Sequence, residues 1–300
     1  MKKQLAILAA GLLTIGMSGA AAADTLAKIK SSSAVTMGVR ESSGALSYSV
    51  GEGKFGGFHV EICERVLSDI KNQLKLPKLA VNYQPVTSQN RIPLVQNGTV
   101  DIECGSTTNN ATRQKDVAFA VTTYVEEVRI AAKANSGITS INQLNGKKVA
   151  TTTGTTSVQH LRKHERATNV NFDEVFGKDH ADSFLLLESG RADAFVMDGS
   201  ILAGNIANAK NPNDFKIVGE VLSVEPIAIM LRKDDPEFKK AVDDSIKKMM
   251  KDGTLAKLWT KWFESPIPPR NVKVGLSLSE STKTAWASPN DKPMEDYAKK

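Results

Sequence analysis

Three arginines and a run of hydroxyl side chains stand where the hydrophobic pattern predicts strand ends. Arg40 closes the alternation Val35-Thr-Met37-Gly-Val39, Arg91 follows a strand predicted over residues 79 to 86, and Arg113 follows Val100-Asp-Ile102. A guanidinium is a planar fork that takes a carboxylate through two parallel hydrogen bonds, so this residue type suits an anionic guest. Ser88, Ser106, Thr107 and Thr108 add hydroxyls in the same loops, and Gly105 permits close backbone approach. Further on, Thr152-Thr-Gly-Thr-Thr-Ser157, with Thr155 and Thr156 inside it, runs straight into a predicted helix. A helix start offers unpaired backbone N–H groups and the positive end of the helix dipole, which again favours an anion. His180 and Asp198 follow later strands, and Asp198 is the acidic residue there that could receive an ammonium. The plainer alternative is that Thr156 or Ser157 merely caps a helix while the arginines lie along the surface.

Something must bring these loops together. From residue 58 to 74, Ile62, Cys63, Val66, Leu67, Ile70 and Leu74 recur at three- and four-residue steps, marking an amphipathic helix. A short helix over 90 to 97 tolerates Pro93 in its first turn and ends at Gly98. Residues 148 to 198 repeat this order: strand 148–153, helix 155–166, strand 170–176, helix 180–189, strand 192–198. The stretches LVQNGTVD and LLESGRAD also match in layout, with Gly98 and Asp101 each 92 positions before Gly190 and Asp193. The pattern predicts two α/β lobes built alike, each a largely parallel sheet flanked by helices. Ligands in such sheets bind at the carboxyl ends of the strands, where the polar residues above are found.

Composition narrows the function. The 300 residues are 41% hydrophobic and 24% charged, which excludes a polytopic membrane protein and a disordered chain. The 39 basic residues exceed the 33 acidic ones for a net charge of +6, but they interleave, as in Lys239, Lys240, Asp243, Asp244, Lys247 and Lys248. Interleaved charges make solvated helix faces rather than a phosphate-tracking stripe, so nucleic-acid binding is not expected. Residues 1–23 read as a signal peptide: Lys2 and Lys3, an apolar stretch from Leu5 to Met17, and Ala21 and Ala23 at the −3 and −1 positions of a cleavage site. The mature protein is then expected in a periplasm, starting near Asp24. Cys63 and Cys104 can be a disulfide or two buried thiols; their spacing does not decide.

Several stretches together resemble the periplasmic solute-binding proteins of ABC amino-acid importers, in particular the glutamate/aspartate-binding members. They are GVRESSG (38–44), TSQNRIPLVQNGTVDIECGSTTNNATR (87–113), TTGTTS (152–157), KDHADSFLLLESGRADAFVMD (178–198) and LRKDDPEFKKAVDD (231–244). The resemblance runs from about residue 25 to 269, with a tail beyond. It implies a two-lobed type II binding-protein fold: lobe 1 over 24–125, lobe 2 over 126–223, and a return to lobe 1 over 224–300. The crossings are placed near 124–127 and 221–226. It also implies roles. Arg113, helped by Ser106, Thr108 and Thr156, takes an α-carboxylate, and Asp198 takes the α-ammonium. Arg40, Arg91 and Ser88, with His180 beside them, are left for a side-chain carboxylate. Three cations against one anion then call for a dicarboxylic L-amino acid, glutamate or aspartate, because an unpaired buried arginine costs about 3–5 kcal/mol. The partner implied is a membrane permease, the protein is expected to be a monomer, and neither a cofactor nor a metal is expected.

Rival readings are weaker. Glutamine is the alternative ligand. A lyase or hydrolase on the same scaffold could use His180 and Asp198 as base and orienter, but the chain lacks a Gly-x-Ser-x-Gly elbow and a zinc signature. Gly51-Glu-Gly53-Lys-Phe-Gly56 has dinucleotide-fingerprint spacing but starts ten residues after the preceding strand, so it reads as a turn feeding the helix at Phe58. His160 and His164, four apart, read as surface histidines rather than a metal edge.

Overall fold

The computed structural model describes residues 24–297; the expected signal peptide lies outside the described residues. Two five-stranded sheets organise the chain. In the first lobe the strands run in the order Ala80–Pro85, Ala34–Val39, Ile102–Glu103, Met230–Arg232 and Val117–Phe119. The second lobe follows the order Asp173–Gly177, Lys148–Thr152, Ala194–Asp198, Tyr124–Lys133 and Phe215–Ile227. The two orders correspond strand for strand, as the repeated layout predicts.

The sheets are less parallel than expected. Pairings among the first three strands of each sheet are parallel, and the remaining two in each are antiparallel. The cause is the hinge. The chain leaves the first lobe along Tyr124–Lys133 and returns along Phe215–Ile227, and these crossing strands run side by side in opposite directions, Tyr124 against Ile227 and Val128 against Ser223. Each end of that ribbon adds antiparallel neighbours to the sheet it joins.

Both faces of the second sheet are covered, and the period of two along its strands shows how. Ala194 and Val196 join Val149, Ile130 and Leu161 on one face, while Phe195 and Met197 join Phe184, Leu187 and Ile201 on the other. In the first lobe the helix Phe58–Gln73 buries Ile62, Val66, Leu67 and Ile70 against Val35, Met37, Trp259 and Phe263. Cys63 on this helix and Cys104 beside the strand Ile102–Glu103 form a disulfide, which settles the alternatives left open by spacing. Residues 51–56 form a tight hairpin with Glu52 and Gly53 at positive φ, leading to Phe58 as expected. The tail braces the hinge: Trp286 Nε1 donates to the Thr123 carbonyl at 2.8 Å, and the Val125 N–H to the Thr282 hydroxyl at 3.1 Å. Among the described residues no helix is long and apolar enough to cross a membrane.

Candidate functional site

The ten residues singled out from the sequence, Arg40, Ser88, Arg91, Ser106, Thr108, Arg113, Thr155, Thr156, His180 and Asp198, are all buried, in loops or at the ends of helices and strands. Arg40 is fully buried just past the end of its strand, its backbone N–H held by the Ser47 hydroxyl at 2.9 Å. One guanidinium nitrogen, Nη2, reaches Ser88 Oγ at 2.9 Å, Asp179 Oδ1 at 3.1 Å and His180 Nε2 at 3.2 Å. Asp179 and His180 come from the second lobe, so Arg40 bridges the cleft. A guanidinium only donates, so His180 Nε2 accepts and its Nδ1–H points to Thr152 Oγ1 at 3.0 Å. Burial, with the Arg40 cation adding to it, pushes the His180 pKa down to about 3, leaving the ring neutral. His180 is thus engaged by Thr152 and Arg40, and no hydrogen bond joins it to Asp198 as a base–orienter pair would need.

Arg91 opens the short helix Arg91–Gln96. Its Nε and Nη1, like Nε and Nη1 of Arg40, are buried without a hydrogen-bond partner. Burial first, then the nearby Arg113 and Arg40 cations, draw its pKa well below the arginine range. Buried Glu103 partly offsets this field; its Oε2 accepts from Thr107 Oγ1 at 2.7 Å. Gly105 leaves room here: a Cβ would press on Glu103 Oε1 and sit 2.9 Å from Arg40 Cγ. Its loop is pinned from behind by His59, whose Nδ1 lies 2.5 Å from the Gly105 carbonyl oxygen.

Arg113 donates from Nη1 to the Thr108 carbonyl at 2.8 Å and from Nη2 across the cleft to the Gly154 carbonyl at 3.4 Å. Facing it is the start of the helix Thr156–Ala167, whose N-cap Thr155 makes no side-chain capping bond. The Thr155 hydroxyl turns back to the Thr152 carbonyl at 2.7 Å, so the first N–H groups of the helix keep their donor capacity. The expected alternative, a side-chain cap, is therefore not what this loop supplies. Ser106 Oγ meets Ser43 Oγ at 3.0 Å.

Asp198 ends the strand Ala194–Asp198. Burial, then the Glu126 and Glu225 carboxylates, push its pKa well above the usual carboxylate range. Glu126 and Glu225 are buried on the two crossing strands, directly opposite one another in register. Burial raises Glu126 to about 7, against the hydrogen bonds it receives from Ser200 and Tyr124. The expected count of three cations and one anion therefore needs correcting. Asp179 pairs with Arg40, and Glu103, Glu126 and Glu225 add buried carboxylates. What the site has is polarity: the strongest charged neighbours of Arg91 are arginines, and those of Asp198 are glutamates.

Asp179, His59 and the crossing-strand glutamates escaped the sequence reading. Asp179 carried a signal, since an aspartate just before a predicted helix is a preferred N-cap, and its carboxylate does accept from the His180 N–H at 2.9 Å. The glutamates carried little, since only the paired crossing reveals that they are enclosed. His160 is not a free surface histidine: its Nε2 lies 2.6 Å from Glu225 Oε1. His164 bonds Asn142 at 3.1 Å. Among the described residues no group of three or more His, Cys, Asp or Glu is placed to hold a metal.

Known proteins resemble this chain in sequence and fold. The chain is 44% identical over 287 residues to the glutamate/aspartate import solute-binding protein of Escherichia coli, spanning 96% of this chain and 95% of that one. It is 44% identical over 272 residues to the L-glutamate/L-aspartate-binding protein of Pseudomonas aeruginosa, spanning 90% of each. An ancestral arginine-binding protein bound to glutamine superposes with a TM-score of 0.69 at 28% identity, over 77% of this chain and 98% of its own. Residues 35–265, a span that holds all ten site residues, match the bacterial extracellular solute-binding proteins, family 3, and the chain belongs to this family.

Proposed function

We propose that this protein binds an acidic L-amino acid, glutamate or aspartate, in the periplasm and presents it to the permease of an ABC importer without transforming it. The observation that carries this reading is Arg91: a buried guanidinium with two unpartnered nitrogens, whose strongest charged neighbours are the Arg113 and Arg40 cations, Arg40 in turn holding Ser88. A side-chain carboxylate supplies the counter-charge that burial otherwise leaves missing. Arg113 and the uncapped start of the Thr156 helix hold the α-carboxylate, and Asp198 takes the ammonium. Ser106, Thr108 and Thr155 line the passage between. His180, neutral, holds Arg40 in place. The lobes, with boundaries near residues 125 and 224, close by bending at the two crossing strands. A ligand touching both lobes favours the closed form that the permease reads. The leader is removed near Ala23, and the mature protein acts as a monomer.

A thermal-shift panel of the twenty amino acids tests this. A cognate ligand at about 1,000 times its dissociation constant stabilises by about 4 kcal/mol. Glutamate and aspartate should give the largest shifts, and an unchanged NMR spectrum of glutamate after overnight incubation should accompany them. Shifts confined to basic or apolar amino acids, or conversion of glutamate, would refute the proposal.

A further inference from the structure

The hinge holds a carboxylate that none of the roles above uses. Glu225 lies on the returning crossing strand, fully buried. Its Oε2 accepts from the Thr108 hydroxyl of the first lobe at 2.5 Å and from the Thr156 hydroxyl of the second lobe at 2.9 Å. Its Oε1 faces His160 Nε2, one turn further along the Thr156 helix, at 2.6 Å. The other charged groups around it are Arg113, Asp198 and, opposite in register, Glu126.

A hydroxyl has one proton. Once Thr108 and Thr156 have committed theirs to Glu225, their oxygens offer the cleft only lone pairs. Such oxygens attract the hydrogens of an ammonium and repel a carboxylate. The α-carboxylate is then left to Arg113 and the backbone N–H groups at the helix start. At the opposite end, Arg40 and Arg91 offer donors alone. We infer that Glu225 is a positioning residue that fixes the Thr108 and Thr156 hydroxyls as acceptors for the guest's ammonium, and so sets the direction in which an amino acid lies in the cleft. This rests on the acidic amino-acid reading and adds a residue that touches no ligand.

The test is calorimetry of wild-type and Glu225→Gln protein with L-glutamate and with glutarate, which keeps both carboxylates and lacks the ammonium. Losing an acceptor for a charged donor should weaken L-glutamate roughly 10- to 100-fold and glutarate by less than about twofold. A merely structural role would weaken both alike. Should Glu225→Gln fail to fold, Thr108→Val removes the oriented hydroxyl and carries the same expectation. Equal losses for the two ligands, or no loss, would overturn the role of Glu225. Wild-type protein that fails to bind glutamate at all would overturn the ligand reading beneath it.

Discussion

Replacing Arg91 by methionine separates a binding cation from a structural one. In the structure the Arg91 guanidinium is buried, two of its nitrogens lack partners, and its strongest charged neighbours are cations. Methionine fills similar space without a charge, so the ligand-free thermal midpoint should stay level or rise. Glutamate should respond in the opposite direction. Removing one partner of a buried ion pair costs about 3–5 kcal/mol, or roughly 150- to 5,000-fold in affinity. Glutamine carries an amide in place of the second carboxylate and should lose less than about tenfold, since a neutral hydrogen bond is worth only about 1 kcal/mol. Titration calorimetry with both ligands, beside a thermal melt of the free protein, gives all three numbers. Equal losses for glutamate and glutamine would refute the reasoning, and so would a ligand-free melt that drops by many degrees.

Three further outcomes follow from packing and protonation. Gly204, in the helix Gly199–Asn208, meets Gly44 of the other lobe so closely that a Cβ would sit 2.8 Å from Gly44 Cα. Gly204→Ala should therefore hold or raise ligand-free stability through helix propensity, yet weaken glutamate by about 1–3 kcal/mol because the lobes cannot fully meet; unchanged affinity would contradict this. Burial pushes His59 down to about 4, while the unfolded residue takes a proton near 6.5. Between these values the unfolded chain binds the extra proton, so stability falls with falling pH, and a His59→Gln variant should gain on wild type as pH drops through that window. A pH-independent difference between their melts would contradict it. Removing the Cys63–Cys104 bridge, which spans 41 residues, should cost up to about 4 kcal/mol by loop entropy while glutamate affinity of the folded protein stays within about twofold. A large affinity loss without a stability loss would count against that.

Much of the architecture was legible because it is written in local pattern. The alternation before Arg40 and the apolar stripe of Ile62, Val66 and Ile70 each report a period that local sterics enforce. The Gly98/Gly190 repeat foretold the matching sheet orders. The antiparallel half of each sheet was not legible, because it arises only when segments far apart in sequence pair, as Tyr124 does with Ile227 and Met230 with Glu103. The site divides in the same way. Arg40, Arg91, Arg113 and Asp198 could be grouped as candidates because strand ends are predictable from sequence. Glu126 and Glu225 were missed because a glutamate on a strand is ordinarily solvated, and only their enclosure between lobes makes them chemically consequential. Asp179 changed the charge count for the same reason: its partner Arg40 is 139 residues away.

The central claim concerns where the guest's second carboxylate goes, and a crystal structure of the L-glutamate complex tests it most directly. The account predicts that carboxylate within hydrogen-bond distance of Arg91 and Arg40, the α-carboxylate on Arg113 and the Thr156 helix, and the ammonium on Asp198. A glutamate lying the other way round, or with its side-chain carboxylate in solvent and Arg91 still unpaired, would contradict it.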